Sequence, residues 1–184
     1  TAEWLDAIAD AYGVAGDKLA TAKNAFLPAI KAGLAANPIK GTITLSGYEG
    51  SELLVARLLI ESGADVPYVG SACPKTKWSA PDVAWLESRG VKVKFRASLE
   101  DDCAAMEAIK PDLAIGTTPV VQKGKEMGIP SLYFTNLISA RPLMGPAGAG
   151  SLGQVVNAAM ANKDRMDHMR SEEHTSELQS QGNL

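Results

Sequence analysis

The chain has 184 residues, 46% of them hydrophobic and 21% charged, with a formal net charge of −3. That is the composition of one globular domain with a real core. It excludes the basic face of a nucleic-acid binder, and no apolar run approaches the ~20 residues that span a bilayer.

The first stretch, TAEWLDAIADAYG, is an amphipathic helix pattern with acidic residues. It lacks the basic start and uninterrupted apolar run of a signal peptide. There is no initial Met, so the chain is expected to begin inside a longer polypeptide. Trp4, Leu5, Ile8 and Tyr12 fall at helical spacing. After Gly16 the period continues through Leu19, Ala22, Phe26, Ile30 and Leu34. Residues 1–40 are therefore predicted to be a helical arm, with Pro28 a candidate kink and Asn-Pro and Gly41 as the stop.

From Gly41 the pattern alternates. Strands are predicted for TITLSG (42–47), DVPYVGS (65–71), VKVKF (91–95), DLAIGT (112–117) and PSLYFTN (130–136). The strict alternation of VKVKF suggests an edge strand. The helix at 49–63 is read with Leu53, Leu54, Leu58 and Ile60 on its apolar face and Gly63 as its stop. The helix at 79–90 takes Ser79 as N-cap and ends at Gly90. Further helices are read at 98–110 and at 119–128, where Pro119 occupies the first turn. A glycine-rich turn at 143–151 leads into a last helix from about Leu152. Strands alternating with helices of this length make an α/β fold: a Rossmann-like, doubly wound parallel sheet of about five strands over residues 41–169. Arg170–Ser180, RSEEHTSELQS, resembles a translated sequencing-library adapter. Residues 170–184 are accordingly expected not to be natural domain and to pack poorly.

Ligands of such sheets bind beyond the carboxyl ends of the strands. The loops 46–51, 116–119 and 143–151 are expected to gather there. SGYEGS offers Ser46, Gly47 and Glu49. It is not G-x-G-x-x-G, and Glu49 puts a negative charge where a pyrophosphate would sit, so a tight structural turn is the preferred reading over a dinucleotide site. Cys73 lies on the rim with no C-x-x-C and no nearby His, leaving rim packing or a chemical role. Cys103 shares a helix face with Met106 and reads as core. Two cysteines cannot build a disulfide framework, which suits a reducing cytoplasm. Lys75, Lys77, Lys92, Lys94 and Arg96 make a basic cluster, either solvated surface or a docking patch for an acidic partner. Thr117 and Thr118 close the fourth strand. Asn136 and Arg141 follow the fifth. GPAGAG comes too late in the chain for a dinucleotide loop, and Pro146 removes a donor there. Gly145, Gly148 and Gly150 are read as allowing close backbone approach at the cleft. There is no Ser-His-Asp set, no convincing carboxylate pair, and no metal-ligand set. The residues alone reach a ligand-binding α/β domain without a complete active site.

Three stretches carry a resemblance: TITLSGYEGSELLVARLLIESGADVPYVGSACP, PDLAIGTTPVVQKGKEMGIPSLYFTNLISARPLMGPAGAGSL and QVVNAAMANKDRM. They resemble the C-terminal region of the Y-subunit family of chlorophyllide a reductase, within the nitrogenase-like component 1 proteins, over residues 1–169. The resemblance implies a fragment of an oxidoreductase of bacteriochlorophyll synthesis that reduces a ring double bond of chlorophyllide a. It further implies a heterotetramer with a sister catalytic subunit, and a separate ATP-dependent iron–sulfur reductase as electron donor, which carries the ATP and Mg. It implies a [4Fe-4S] cluster whose ligands lie outside these residues, so that the fragment alone is inactive. The alternatives are another nitrogenase-like subunit, such as that of protochlorophyllide reductase or a cofactor-assembly scaffold, and a non-enzymatic metal- or tetrapyrrole-binding α/β domain.

Overall fold

The computed structural model describes residues 1–139, 142–143 and 145–162. Two helices come first, α1 (Ala2–Tyr12) and α2 (Gly16–Ala36), followed by β1 (Thr42–Gly47), α3 (Glu52–Glu61), β2 (Asp65–Ser71), α4 (Ala80–Glu87) and β3 (Lys92–Phe95). The second half holds α5 (Leu99–Ile109), β4 (Leu113–Gly116), α6 (Thr118–Glu126), β5 (Ser131–Tyr133), α7 (Phe134–Ser139) and α8 (Gly145–Met160). The strands form one parallel sheet in the order β3-β2-β1-β4-β5. This is the doubly wound α/β fold expected, with VKVKF on an edge.

Helices α3, α4 and α8 cover one face of the sheet, and α5 and α6 the other. Ile43, Leu45, Val69, Leu113 and Ile115 are fully enclosed beneath the first layer, with Leu59, Leu86, Leu152 and Val156 from the helices. The second layer is thinner, built on Met106, Ala114, Val120 and Ile129. Its strand positions include small or polar residues, Thr44, Ser46, Gly70 and Gly116, which let Asp102 of α5 and Val120 of α6 come close against the sheet.

Local chemistry explains most boundaries. Ser98 and Asp101 form a reciprocal capping box that starts α5. Gly63, at φ +102°, ends α3, while the Ala64 amide reaches back to the Leu59 carbonyl. Ser79 precedes α4 but does not cap it; its hydroxyl donates to the Thr76 carbonyl instead.

Four expectations are corrected. The arm is two helices, broken at Gly13 with φ +61°, whereas Pro28 lies inside an unbroken α2. In α3 the buried face is Glu52, Val55, Ala56 and Leu59 along with Leu53; Leu54 is 45% exposed, because the sheet and α8 meet the helix from the 52–55–59 side. Strand β5 stops at Tyr133, and Phe134 already begins α7, where its ring and Leu137 are buried. The glycine-rich turn is not a turn: α8 starts at Gly145, and its glycines lie inside the helix. The expected behaviour of residues 170–184 lies outside the described residues.

Candidate functional site

Strand β1 feeds α3 on one face of the sheet, and its neighbour β4 feeds α6 on the other. Where adjacent strands send their connections in opposite directions, the loops part and leave a crevice at the carboxyl ends. A cavity of about 490 Å³ lies there, lined by Tyr48 from the β1 loop, Gly116, Thr117 and Thr118 from the β4 loop, and Thr135 and Asn136 from α7. Pro119 and Tyr133 complete it. A groove of about 580 Å³ runs beside the start of β5, between Lys125 and the Val155–Ala159 side of α8, and so lies away from these loops.

The crevice is rich in hydroxyl and amide groups, and among the described residues no Lys or Arg lines it. The Thr135 hydroxyl donates to Glu49 Oε1 at 3.1 Å, and the Tyr48 hydroxyl stands 3.4 Å from the Thr135 hydroxyl. These contacts join the β1 loop to α7 across the opening. Helix α6 enters the crevice by its N-terminus. Thr117 takes the cap position without using its side chain, and the first turn has no acidic residue. The positive end of the helix dipole and its unbonded amides are thus turned toward whatever occupies the space. Beneath Gly116, the hydroxyl of Ser46 is buried with no hydrogen-bond partner among the described residues.

One carboxylate holds this arrangement, and nothing in the sequence reading singled it out. Glu52 is fully buried at the first turn of α3. Its Oε1 accepts the amides of Glu49 at 2.7 Å and Gly50 at 3.2 Å, and its Oε2 accepts the Ser71 hydroxyl at 2.9 Å. A Cβ at Gly47 would stand 2.5 Å from Oε1, so glycine is needed there for the carboxylate to reach its partners. A buried carboxyl group satisfied by three donors fixes a loop far better than the loop's own backbone could. The available signal was an acid on the buried stripe of α3, in line with Val55, Ala56 and Leu59.

The sequence candidates are placed as follows. Thr117, Thr118 and Asn136 line the cavity. Ser46 lies under its floor, and Gly47 and Glu49 belong to the loop held by Glu52. Cys73 packs against that loop from outside, its thiol 3.5 Å from the Tyr48 carbonyl. Arg141 lies outside the described residues. Gly148 and Gly150 face other parts of the chain. A Cβ on Gly148 would overlap the Leu143 backbone, and the Gly150 amide lies 3.2 Å from where a Cβ on Gly33 of α2 would be. Gly145, at φ +72°, opens α8. In the basic cluster, Lys94 is engaged with Asp101 at 2.6 Å, which holds that carboxyl down at about 2.

On the α5 face, Tyr68 donates to Asp102 Oδ1 at 2.8 Å, and Gly70 is bare where that carboxylate sits. Burial pushes Asp102 up to about 6, and burial together with the neighbouring carboxylate pushes the Tyr68 phenol up. An iron–sulfur cluster requires several thiolates brought together. The two cysteines are on different elements: Cys73 on the rim and Cys103 against the Met106 cluster, its thiol pushed up by burial. Among the described residues no three His, Cys, Asp or Glu side chains stand together so as to hold a metal ion. These residues therefore do not fit a cluster site, and no helix among them is long and apolar enough to cross a membrane.

The family model for nitrogenase component 1 type oxidoreductases matches residues 1–161. Two curated relatives, each a chlorophyllide reductase 52.5 kDa chain, come from Cereibacter sphaeroides and Rhodobacter capsulatus. Each is 73% identical over 170 residues, which is 92% of this chain and 34% of the relative. The chain thus spans about a third of the length of the relatives it matches. A solved structure of nitrogenase Cp1 at pH 6.5 superposes with a TM-score of 0.62 at 21% identity, covering 88% of this chain and 37% of that one. At that identity it speaks for the fold alone.

Proposed function

The chain belongs to the nitrogenase component 1 type oxidoreductase family, and we propose that it is the C-terminal region of the Y subunit of chlorophyllide a reductase. The observation that carries this reading is 73% identity, over 92% of the chain, to two chlorophyllide reductase chains. The full enzyme is then a cytoplasmic heterotetramer with a sister catalytic subunit. An ATP-dependent iron–sulfur reductase delivers its electrons through a [4Fe-4S] cluster held outside these residues, and a ring double bond of chlorophyllide a is reduced.

Within that enzyme the present residues supply a wall of the substrate cleft. A broad, planar, mostly apolar ring with a few oxygen-bearing edges needs apolar walls and a few fixed polar anchors. Tyr48, Thr117, Thr118, Thr135 and Asn136 are such anchors. Glu52 keeps the Tyr48 loop in place, so the anchors are set before substrate arrives and little ordering is left to binding. No proton donor is assigned to this wall.

The test is reconstitution. Full-length subunit, sister subunit, reductase, ATP and a reductant should convert chlorophyllide a anaerobically, as followed by its absorption spectrum. Replacing Thr117 and Thr118 by Val should raise KM about tenfold, the loss of one or two hydrogen bonds, while kcat changes less. A reconstituted complex that leaves chlorophyllide a unchanged but reduces another tetrapyrrole would overturn the reading.

A further inference from the structure

Helix α1 carries an apolar stripe that nothing among the described residues covers. Trp4, Ile8 and Tyr12, one turn apart, are 64%, 38% and 78% exposed, and Val14 beyond the helix is 40% exposed. The opposite side of α1 is already committed. Ala9 is its one buried residue, and Asp6 pairs with Lys23 of α2 at 2.5 Å. The free stripe is therefore not a consequence of an undocked helix: α1 is seated on α2 and turns its aromatic face outward.

We infer that this face is covered, in the complete protein, by a segment of its own polypeptide lying outside the present 184 residues. Two observations choose that occupant. The relatives align over nearly the whole of this chain yet are about three times as long, so two-thirds of a homologous polypeptide is available to cover it. The exposed parts of the Trp4 and Tyr12 side chains amount to roughly 300 Å², well short of the ~800 Å² per partner that a specific, stable complex buries. A patch that small holds a partner only where a covalent link has removed the cost of association. The inference depends on the length of the relatives and not on their substrate.

The test replaces Tyr12 by the photo-crosslinker p-benzoylphenylalanine in the full-length subunit, assembled in its native complex, and maps the adducts by mass spectrometry. Adducts to residues of the same polypeptide outside 1–184 are expected. Adducts to another chain, or to solvent and buffer alone, overturn the proposal. A second measurement leaves the sequence untouched. In the wild-type complex, amide hydrogen exchange over residues 2–14 should be at least a hundredfold slower than in an unstructured peptide, and the same in the subunit purified without its partners. Exchange that slows only on adding the sister subunit, or stays fast in both, also overturns it.

Discussion

Two glycine-rich stretches of this chain do opposite work with the same missing atom. In Gly47–Gly50, glycine clears space for a side chain: a Cβ on Gly47 would crowd Glu52 Oε1 at 2.5 Å, and the hydrogen bonds that oxygen accepts tie down the crevice loop. In Gly148–Gly153, glycine clears space for backbone: Gly148 lies against the Leu143 main chain, and Gly153 against the Asn37 main chain at the end of α2. The first region is polar and adjustable at its margins. The second is a main-chain contact, with the loop at Leu143 on one side and the end of α2 on the other. Two neighbouring glycines in a sequence thus say little until the atom opposite each is known.

The largest expected effect breaks the second region. Gly148→Ala forces α8 off the Leu143 backbone and should cost about 3 kcal/mol, a fall in Tm of roughly 6–12 °C. Gly150→Ala is the control within the same helix. Its nearest neighbour would be Asn37 Nδ2 at 3.4 Å, ordinary contact, and alanine favours a helix by about 1 kcal/mol. It should be neutral or stabilising, and equal losses at both positions would show that close approach is not what the glycines provide.

The next effect belongs to the first region. Glu52→Ala leaves the Glu49 and Gly50 amides and the Ser71 hydroxyl without their acceptor, at a cost of about 2 kcal/mol. The 47–51 loop should become the first site of limited proteolysis. Glu52→Gln keeps a carbonyl oxygen for both amides and should restore most of that protection. A glutamine variant cut as readily as the alanine one would show that the negative charge, and not the hydrogen-bond geometry, holds the loop.

The smallest effect is read through pH. Asp102 is raised to about 6 in the folded protein, above an ordinary carboxyl. Between about pH 4 and 6 the folded state therefore binds the extra proton, and stability falls as pH rises through that window. Asp102 is partly open to solvent, so screening reduces the effect to about 1 kcal/mol. Asp102→Asn should flatten the slope between pH 4 and 6 in urea titrations. An unchanged slope would place the proton elsewhere.

The layered fold was open to sequence reading because its cues are local. Alternating β-branched runs marked the strands, and Gly63 and Gly90 marked helix ends. What escaped was set by tertiary contact. The 145–153 stretch scores poorly as a helix on propensity, yet backbone contact with α2 outweighs about 1 kcal/mol per glycine. Phe134 reads as the end of a strand, but it opens α7, where it is buried with Leu137. The crevice was half legible. Thr117, Thr118 and Asn136 announced themselves by following strands, but Glu52 did not, because an acid in a first helical turn ordinarily serves the helix dipole rather than a loop before it.

The α2–α8 contact also governs how the chain is made. It brings Gly33 beside Pro146, Ala149 and Gly150, residues separated by more than a hundred positions. At 5–20 residues per second, a ribosome needs roughly ten seconds to release the second partner after the first. Throughout that interval the glycine face of α2 has nothing to close on. A nascent chain interrupted before α8 emerges would present that face, together with the unfinished sheet, to chaperones or to other unfinished chains.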